Sequence, residues 1–372
     1  MSKAAITKTR NTNLDLLRIV SMLLIVFLHS TGSGNVLEYA ESCSAPVYFY
    51  IRFVYMLCQV CVNTYVMLSG YFLVSSKFRL KKLVTLWMEA AFYSVVIRLI
   101  FMLTGARSFS VVSLVSCFFP ILTGRYWFIT IYVGLYLIFP FLNILIRAMD
   151  KKQHTLLNIC LFFLFSVWSS IHPSIAGMNS GGGWGLAWFV VLYLAAAWLR
   201  LYYTPSGKKA GWLAAFAAIP ALVALLQCLP GGDILPDVVV QIVENWFRYD
   251  SAPVYIMTMC LFVGFLNVRI ENEKRANVIR CVAPLTFGVF LIHHHAVVSH
   301  WIWDALDFPA RMDSPLFPFV QMGIVLGIFM VCATVDAMRK NTVGKLDNSP
   351  AVDKFCDSVT QKINECIKSV NN

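Results

Sequence analysis

The chain has 372 residues, of which 59% are hydrophobic, 14% aromatic and 13% charged, with a formal net charge of +11. Soluble domains carry roughly 45–50% apolar and ~25% charged residues. Soluble globular, disordered, collagen-like and disulfide-framework classes are therefore excluded, and an integral membrane protein is left. The positive balance does not point to nucleic acid, because the basic residues sit in short segments between apolar runs.

Apolar runs that cross or nearly cross a bilayer lie near 13–32, 46–74, 83–104, 126–147, 154–172, 186–203, 210–229, 253–268, 278–298 and 316–337. They predict an all-α integral membrane fold, a bundle of about ten transmembrane helices over residues 1–337. The first run holds Arg18 and lacks a small-x-small cleavage pattern, so it is expected to stay as a span. The second is long enough to be tilted or to begin with an interfacial segment, and the eighth is short. A stretch at 109–122 is too short to span and is expected to be re-entrant or to lie along the interface. In the polar tail, 338–372, Val352, Phe355, Val359, Ile363 and Ile367 recur at helical spacing. They predict an amphipathic helix on the cytoplasmic membrane surface, with a partner-binding helix as the alternative. No repeat of 20–50 residues is evident.

Charge orients the chain. Lys3, Lys8 and Arg10 precede the first run. Alternate segments then carry Lys77, Arg79, Lys81 and Lys82; Arg147, Lys151 and Lys152; Arg200, Lys208 and Lys209; and Arg269, Lys274, Arg275 and Arg280. Arg339, Lys340 and Lys345 follow the last run. The intervening segments carry Glu38 and Glu41, then Asp233, Asp237, Glu244 and Asp250, then Asp304, Asp307 and Asp313. This alternation places both termini in the cytoplasm. The 11 cysteines read as small buried hydrophobes, and Cys58-x-x-Cys61 has no second pair at zinc spacing, so no metal is expected.

Charges inside the bilayer cost roughly 2.5–3.5 kcal/mol on insertion scales, so each is a functional candidate. Asp15, Arg18 and His29 share the first run. Eleven residues carry the helix about 20° past three full turns, which puts Arg18 and His29 on one face about 16 Å apart. The plainer reading is an arginine that snorkels, helped by Asp15 one turn away, and a satisfied core histidine. His293, His294 and His295 lie about fifteen residues into the ninth run, some 22 Å deep and level with His29. Neighbouring helix positions point about 100° apart, so the three cannot close on one metal ion. The segment Lys77–Lys82 is a topology signal or a landing patch for a phosphate-rich ligand. Glu89, Arg98 and Arg52 are candidates for mutual pairing.

Taken together, these residues resemble the integral-membrane acyltransferase-3 proteins. Leu14-Asp15-Leu16-Leu17-Arg18 through His29 resembles that family's first-span arginine-x10-histidine motif, and Ser69-Gly70-Tyr71 its second-span ending. Arg79-Leu80-Lys81-Lys82 resembles an arginine-x-x-arginine element with Lys82 in place of the second arginine. Tyr126-Trp127-Phe128-Ile129 resembles the fourth-span entry. Thr286–His293 resembles the late FGxYLIH segment, with Phe290 replacing tyrosine. The resemblance implies a multi-pass protein of the cell membrane that takes an acyl group, usually acetyl, from cytoplasmic acyl-CoA. The acceptor is a hydroxyl of an extracytoplasmic glycan or lipid-linked sugar. It implies catalytic roles for His29 and His293, donor contacts at Arg18, Arg79, Lys82 and Ser69, and support from Asp15, Tyr126 and Trp127. Some members carry a fused extracytoplasmic esterase-like domain, which is not expected here. The chemistry fits: an imidazole serves as general base or acyl carrier for a weakly nucleophilic hydroxyl. The competing readings are a transporter or flippase for a glycan or anionic small molecule, and a receptor or assembly module.

Overall fold

A computed structural model describes residues 11–172, 180–229, 236–344 and 349–369. Among them every regular element is helical. The expected charges Lys3, Lys8, Arg10, Asp233 and Lys345 lie outside the described residues.

The chain opens with α1 (Thr12–Gly32). The second apolar run is one helical rod broken at Gln59 into α2 (Ala45–Cys58) and α3 (Val60–Leu73). Next come α4 (Leu80–Leu103) and the seven-residue α5 (Val111–Cys117), which Ser110 caps by accepting from Ser113 N. Val111, Val112, Val115 and Phe118 around α5 are exposed, as suits a short helix lying against lipid. Then follow α6 (Trp127–Ala148) and α7 (Lys151–Phe162), the latter started by a reciprocal Asp150–Gln153 capping box. One π turn, Phe163–Val167, carries α7 into α8 (Trp168–Ile171). The remaining helices are α9 (Leu186–Tyr202), α10 (Lys209–Gln227), α11 (Asp237–Asn245), α12 (Ala252–Leu266) and α13 (Glu273–Val282). They are followed by α14 (Thr286–His293), α15 (Ala296–Leu306), α16 (Phe317–Thr342) and α17 (Pro350–Ser369).

Among the described residues eight helices are long and apolar enough to cross a membrane, counting α2–α3, α7–α8 and α13–α14 as one rod each. The apolar α9 and α12 are shorter. Each of the ten apolar runs falls on one of these elements. Burial sets the centre of the bundle: α1 buries 67% of its apolar stretch, whereas α10 buries 17% and turns the rest outward. Helices α2, α3, α12, α14 and α16 surround α1.

Two boundaries move relative to the sequence reading. The ninth span stops at His293 rather than near 298, because His295 turns extended (ψ 128°) and starts a separate helix. The last span runs on to Thr342, and Arg339 belongs to its buried wall instead of a polar tail. There Arg339 pairs with Glu89 at 2.5 Å and Asp336 at 2.9 Å, while Tyr93 donates to Asp336 at 2.8 Å. A Cβ at Gly288 would fall on the Asp336 carboxylate, so α14 approaches α16 only with glycine there. Glu89 thus has a partner other than Arg98. Nine residues amount to two and a half turns, which puts Arg98 on the opposite face of α4. Arg52 pairs with Glu244 and donates to Gln227 at 2.5 Å. Helix α17 packs against the start of α4 and buries Cys356.

Candidate active site

The sequence reading puts His29 and His293 at one depth, and the fold brings them into contact. His29 Nδ1 lies 2.9 Å from His293 Nε2, and His293 Nδ1 lies 2.6 Å from the Val289 carbonyl. A carbonyl only accepts, so His293 carries its proton on Nδ1 and offers the Nε2 lone pair. His29 must then donate from Nδ1, which leaves its own Nε2 as a bare lone pair. His293 is fully buried, whereas His29 is half-buried in a cavity wall. His294 stacks on the His29 ring at 4.3 Å and 11° and is itself backed by Phe290. A ring lying parallel on His29 cannot aim its lone pair at the same point, so the histidine run supports one base rather than a chelate.

The end of α14 makes this possible. Tyr126 donates to the Leu291 carbonyl at 3.0 Å and satisfies an acceptor that the ending helix leaves free. That hydrogen bond ties the start of α6 to α14 two residues before His293. Trp127, the next residue, packs against Trp184 with ring centroids 4.3 Å apart and planes tilted by 37°.

Before His29 opens a cavity of about 610 Å³. Met22, Ile25, His29 and Gly32 form its α1 stripe, and the break between α2 and α3 turns Gln59 toward it. Trp127, Trp184 and Tyr249 line the far end with Arg248. Arg248 is held by buried Asp250, donating from Nε at 3.1 Å and Nη2 at 3.2 Å, and Ser180 also donates to that carboxylate. Gly181, Gly182 and Gly183 all have left-handed backbone (φ +67°, +74° and +88°), and a Cβ on Gly183 would strike Tyr249. The glycine run is what lets this loop fold over the cavity. Gln59, Trp184, Arg248 and Asp250 were not singled out as site residues by sequence. The only signal was the Gly181-Gly182-Gly183 run beside Trp184.

A second cavity of about 360 Å³ lies at the start of α4, lined by Arg79, Lys81, Lys82, Thr85, Glu89 and Phe287. Phe287 lines both cavities. Both candidate donor residues of this segment, Arg79 and Lys82, therefore sit in one basic pocket behind the histidine pair. Its backbone is gripped from outside. Tyr136 OH accepts from Arg79 N at 3.2 Å and donates to Arg79 O at 3.1 Å. From α17, Thr360 accepts from Leu80 N at 3.0 Å, and Asn364 donates to Phe78 O at 3.1 Å. Lys81 pairs with Asp353 at 2.5 Å.

Arg18 stands one turn before Met22, donates to Asp15 at 3.3 Å, and is a third exposed. It lines neither cavity. Ser69 lines neither as well, and its hydroxyl donates to Tyr65 O at 3.0 Å. In the Ser69-Gly70-Tyr71 motif the glycine has a packing reason: its Cβ would lie 3.0 Å from Tyr193 Cα and 3.1 Å from Ala196 Cβ of α9.

The described helices thus place a hydrogen-bonded histidine pair beside an aromatic-lined cavity that shares Phe287 with a basic one. The acyltransferase-3 family, described as an acyltransferase domain, matches residues 11–337, and the chain belongs to it. It is a multi-pass membrane acyltransferase. No curated protein and no solved structure matches the chain.

Proposed function

We propose that this acyltransferase moves an acetyl group from cytoplasmic acetyl-CoA to a hydroxyl of an extracytoplasmic glycan or lipid-linked sugar in the cell membrane. Both termini and the basic pocket face the cytoplasm in this reading, and the aromatic chamber opens to the other side. The observation that carries it is the His29–His293 hydrogen bond, with His29 lining a chamber whose wall is shared, at Phe287, with the basic pocket.

The donor's phosphates rest on Arg79 and Lys82, where guanidinium and ammonium groups donate charge-assisted hydrogen bonds. Arg18 lines neither cavity but stands one turn from the chamber-lining Met22, and in this reading it meets the donor between the two. The pantetheine arm passes Phe287 and brings the thioester to His29. An acceptor sugar lies against Trp127 and Trp184, with Arg248 and Gln59 offering hydrogen bonds to its hydroxyls. His29 Nε2 takes the proton of the attacking hydroxyl as its oxygen bonds to the thioester carbon. His293 Nε2 accepts from His29 Nδ1 throughout and steadies the imidazolium that forms. The C–S bond then breaks, and the imidazolium proton goes to the leaving sulfur, which departs as CoA thiol.

Purified protein supplied with labelled acetyl-CoA and envelope glycan tests the proposal. Free CoA thiol and an acceptor heavier by one acetyl group are expected together. Acceptor modification with no thiol release, or no turnover of any acyl-CoA, refutes it.

A further inference from the structure

Among the buried polar atoms that lack a hydrogen-bond partner in the described residues, one group stands around the end of α4. Ser94 Oγ, Arg98 Nε, Arg125 Nε and both ring nitrogens of His295 are buried without a hydrogen-bond partner among the described residues. Ser94 and Arg98 stand one turn apart on one face of α4. Arg125 precedes Tyr126, whose hydroxyl holds α14 at Leu291, and His295 joins α14 to α15. The His295 ring lies near Arg98, Arg125 and the Ser94 backbone. Arg125 also donates to Ser116 Oγ at 3.2 Å, and neither arginine forms an ion pair among the described residues. Both arginines are half-buried, each with its Nε enclosed and no carboxylate paired to it among the described residues, and every open group on them is a donor. An acceptor-rich anion is what the cluster lacks.

The same stretch of α4 borders an apolar groove of about 390 Å³ lined by Val96, Ile97, Ile100, Phe101, Ile292 and Val298. Ile97 neighbours Arg98 on α4, and Ile292 and Val298 flank His295 at three residues on either side. Ile100 and Leu103 beside it are 52% and 85% exposed, so this face meets the bilayer. A charged head socket continuous with an open apolar groove matches one chemistry, a phosphate carried on acyl chains. We propose that Arg98, Arg125, His295 and Ser94 bind the phosphate of a bilayer phospholipid whose acyl chain lies in the α4 groove. The site is separate from the chamber before His29, and it does not rest on the assigned reaction.

Native mass spectrometry of the full-length protein in detergent, titrated with palmitoyl-oleoyl phosphatidylglycerol, tests it. One tightly held lipid is expected on the wild type, bound about tenfold or more weakly by the double variant Arg98→Gln/Arg125→Gln, since charge-assisted contacts are lost. Arg98→Lys/Arg125→Lys keeps the charge without the forked donor and binds the lipid more tightly than the glutamine variant but more weakly than wild type. Diacylglycerol with the same chains binds at least about tenfold more weakly than the phospholipid, and millimolar inorganic phosphate does not displace the lipid. Melting gives a second readout: phosphatidylglycerol raises the melting temperature of the wild type and leaves that of the glutamine variant unchanged. Equal lipid affinity in wild type and glutamine variant, equal binding of diacylglycerol, or displacement by free phosphate would overturn the proposal.

Discussion

Replacing His293 by alanine removes the acceptor that His29 Nδ1 meets at 2.9 Å while leaving the base itself in place. In the resting pair this is a bond between neutral rings. Once a hydroxyl proton reaches Nε2 the donor becomes an imidazolium, and the same bond becomes charge-assisted, worth about 1.5–3 kcal/mol. That stabilisation exists only as charge develops, so its loss falls on kcat. At 1.36 kcal/mol per decade, kcat for acetyl transfer should drop by about 10- to 150-fold. His29→Ala removes the base and should cost about 10²- to 10⁴-fold. The double variant should be no worse than His29→Ala, because His293 acts through His29. His293→Gln retains an acceptor oxygen and should recover part of the loss. The assay is thiol release from acetyl-CoA at saturating donor and acceptor, with thermal melting to confirm that each variant is folded. A kcat for His293→Ala within twofold of wild type, or losses that multiply in the double variant, would refute the reasoning.

Arg79→Ala combined with Lys82→Ala should raise the KM for acetyl-CoA about three- to tenfold with kcat nearly unchanged, because solvent-open charges are partly screened. Steady-state kinetics at two salt concentrations check this, and high salt should narrow the difference. Arg18→Ala should weaken acetyl-CoA binding about tenfold if its guanidinium meets the donor on its way past Met22, and calorimetry reads that directly. Gly288→Ala forces the Asp336 carboxylate away from Arg339 and should cost about 3–5 kcal/mol, against about 1–3 kcal/mol for Gly70→Val between α3 and α9. Melting temperatures of the two variants in detergent rank them. A single thiol placed at Asp237 in a cysteine-free background should react with an impermeant reagent on intact cells, and labelling only after lysis would invert the topology.

The register of the membrane helices was legible because apolar runs of bilayer length leave little choice of element, and the ten runs fall on the helices within a few residues. The meeting of His29 and His293 was legible for a related reason: a rise of about 1.5 Å per residue from the same side puts both imidazoles at one depth. What depth counting cannot supply is the partner across the bundle. Glu89 meets Arg339 from 250 positions away, and nothing near Glu89 in the chain announces it. The break at Gln59 was hidden too, since Gln59 keeps helical dihedrals (φ −59°, ψ −21°) and no glycine or proline marks the place. Asp250 reads only as a loop acid, because the hydrogen bonds that Arg248 donates to it depend on the loop's path over the chamber.

Helix α17 holds the 78–80 segment by two main-chain atoms, with Thr360 accepting from Leu80 N and Asn364 donating to Phe78 O, and it adds the Lys81–Asp353 ion pair beside them. Neither main-chain bond depends on which side chain stands at position 79. Arg79 can therefore be exchanged for a residue of another size or charge with both of these bonds kept, so the charge of this pocket can change while its main-chain frame stays. For an engineer, position 79 can be rewritten in place, whereas a change on α17 at Thr360 or Asn364 would disturb the frame that holds it.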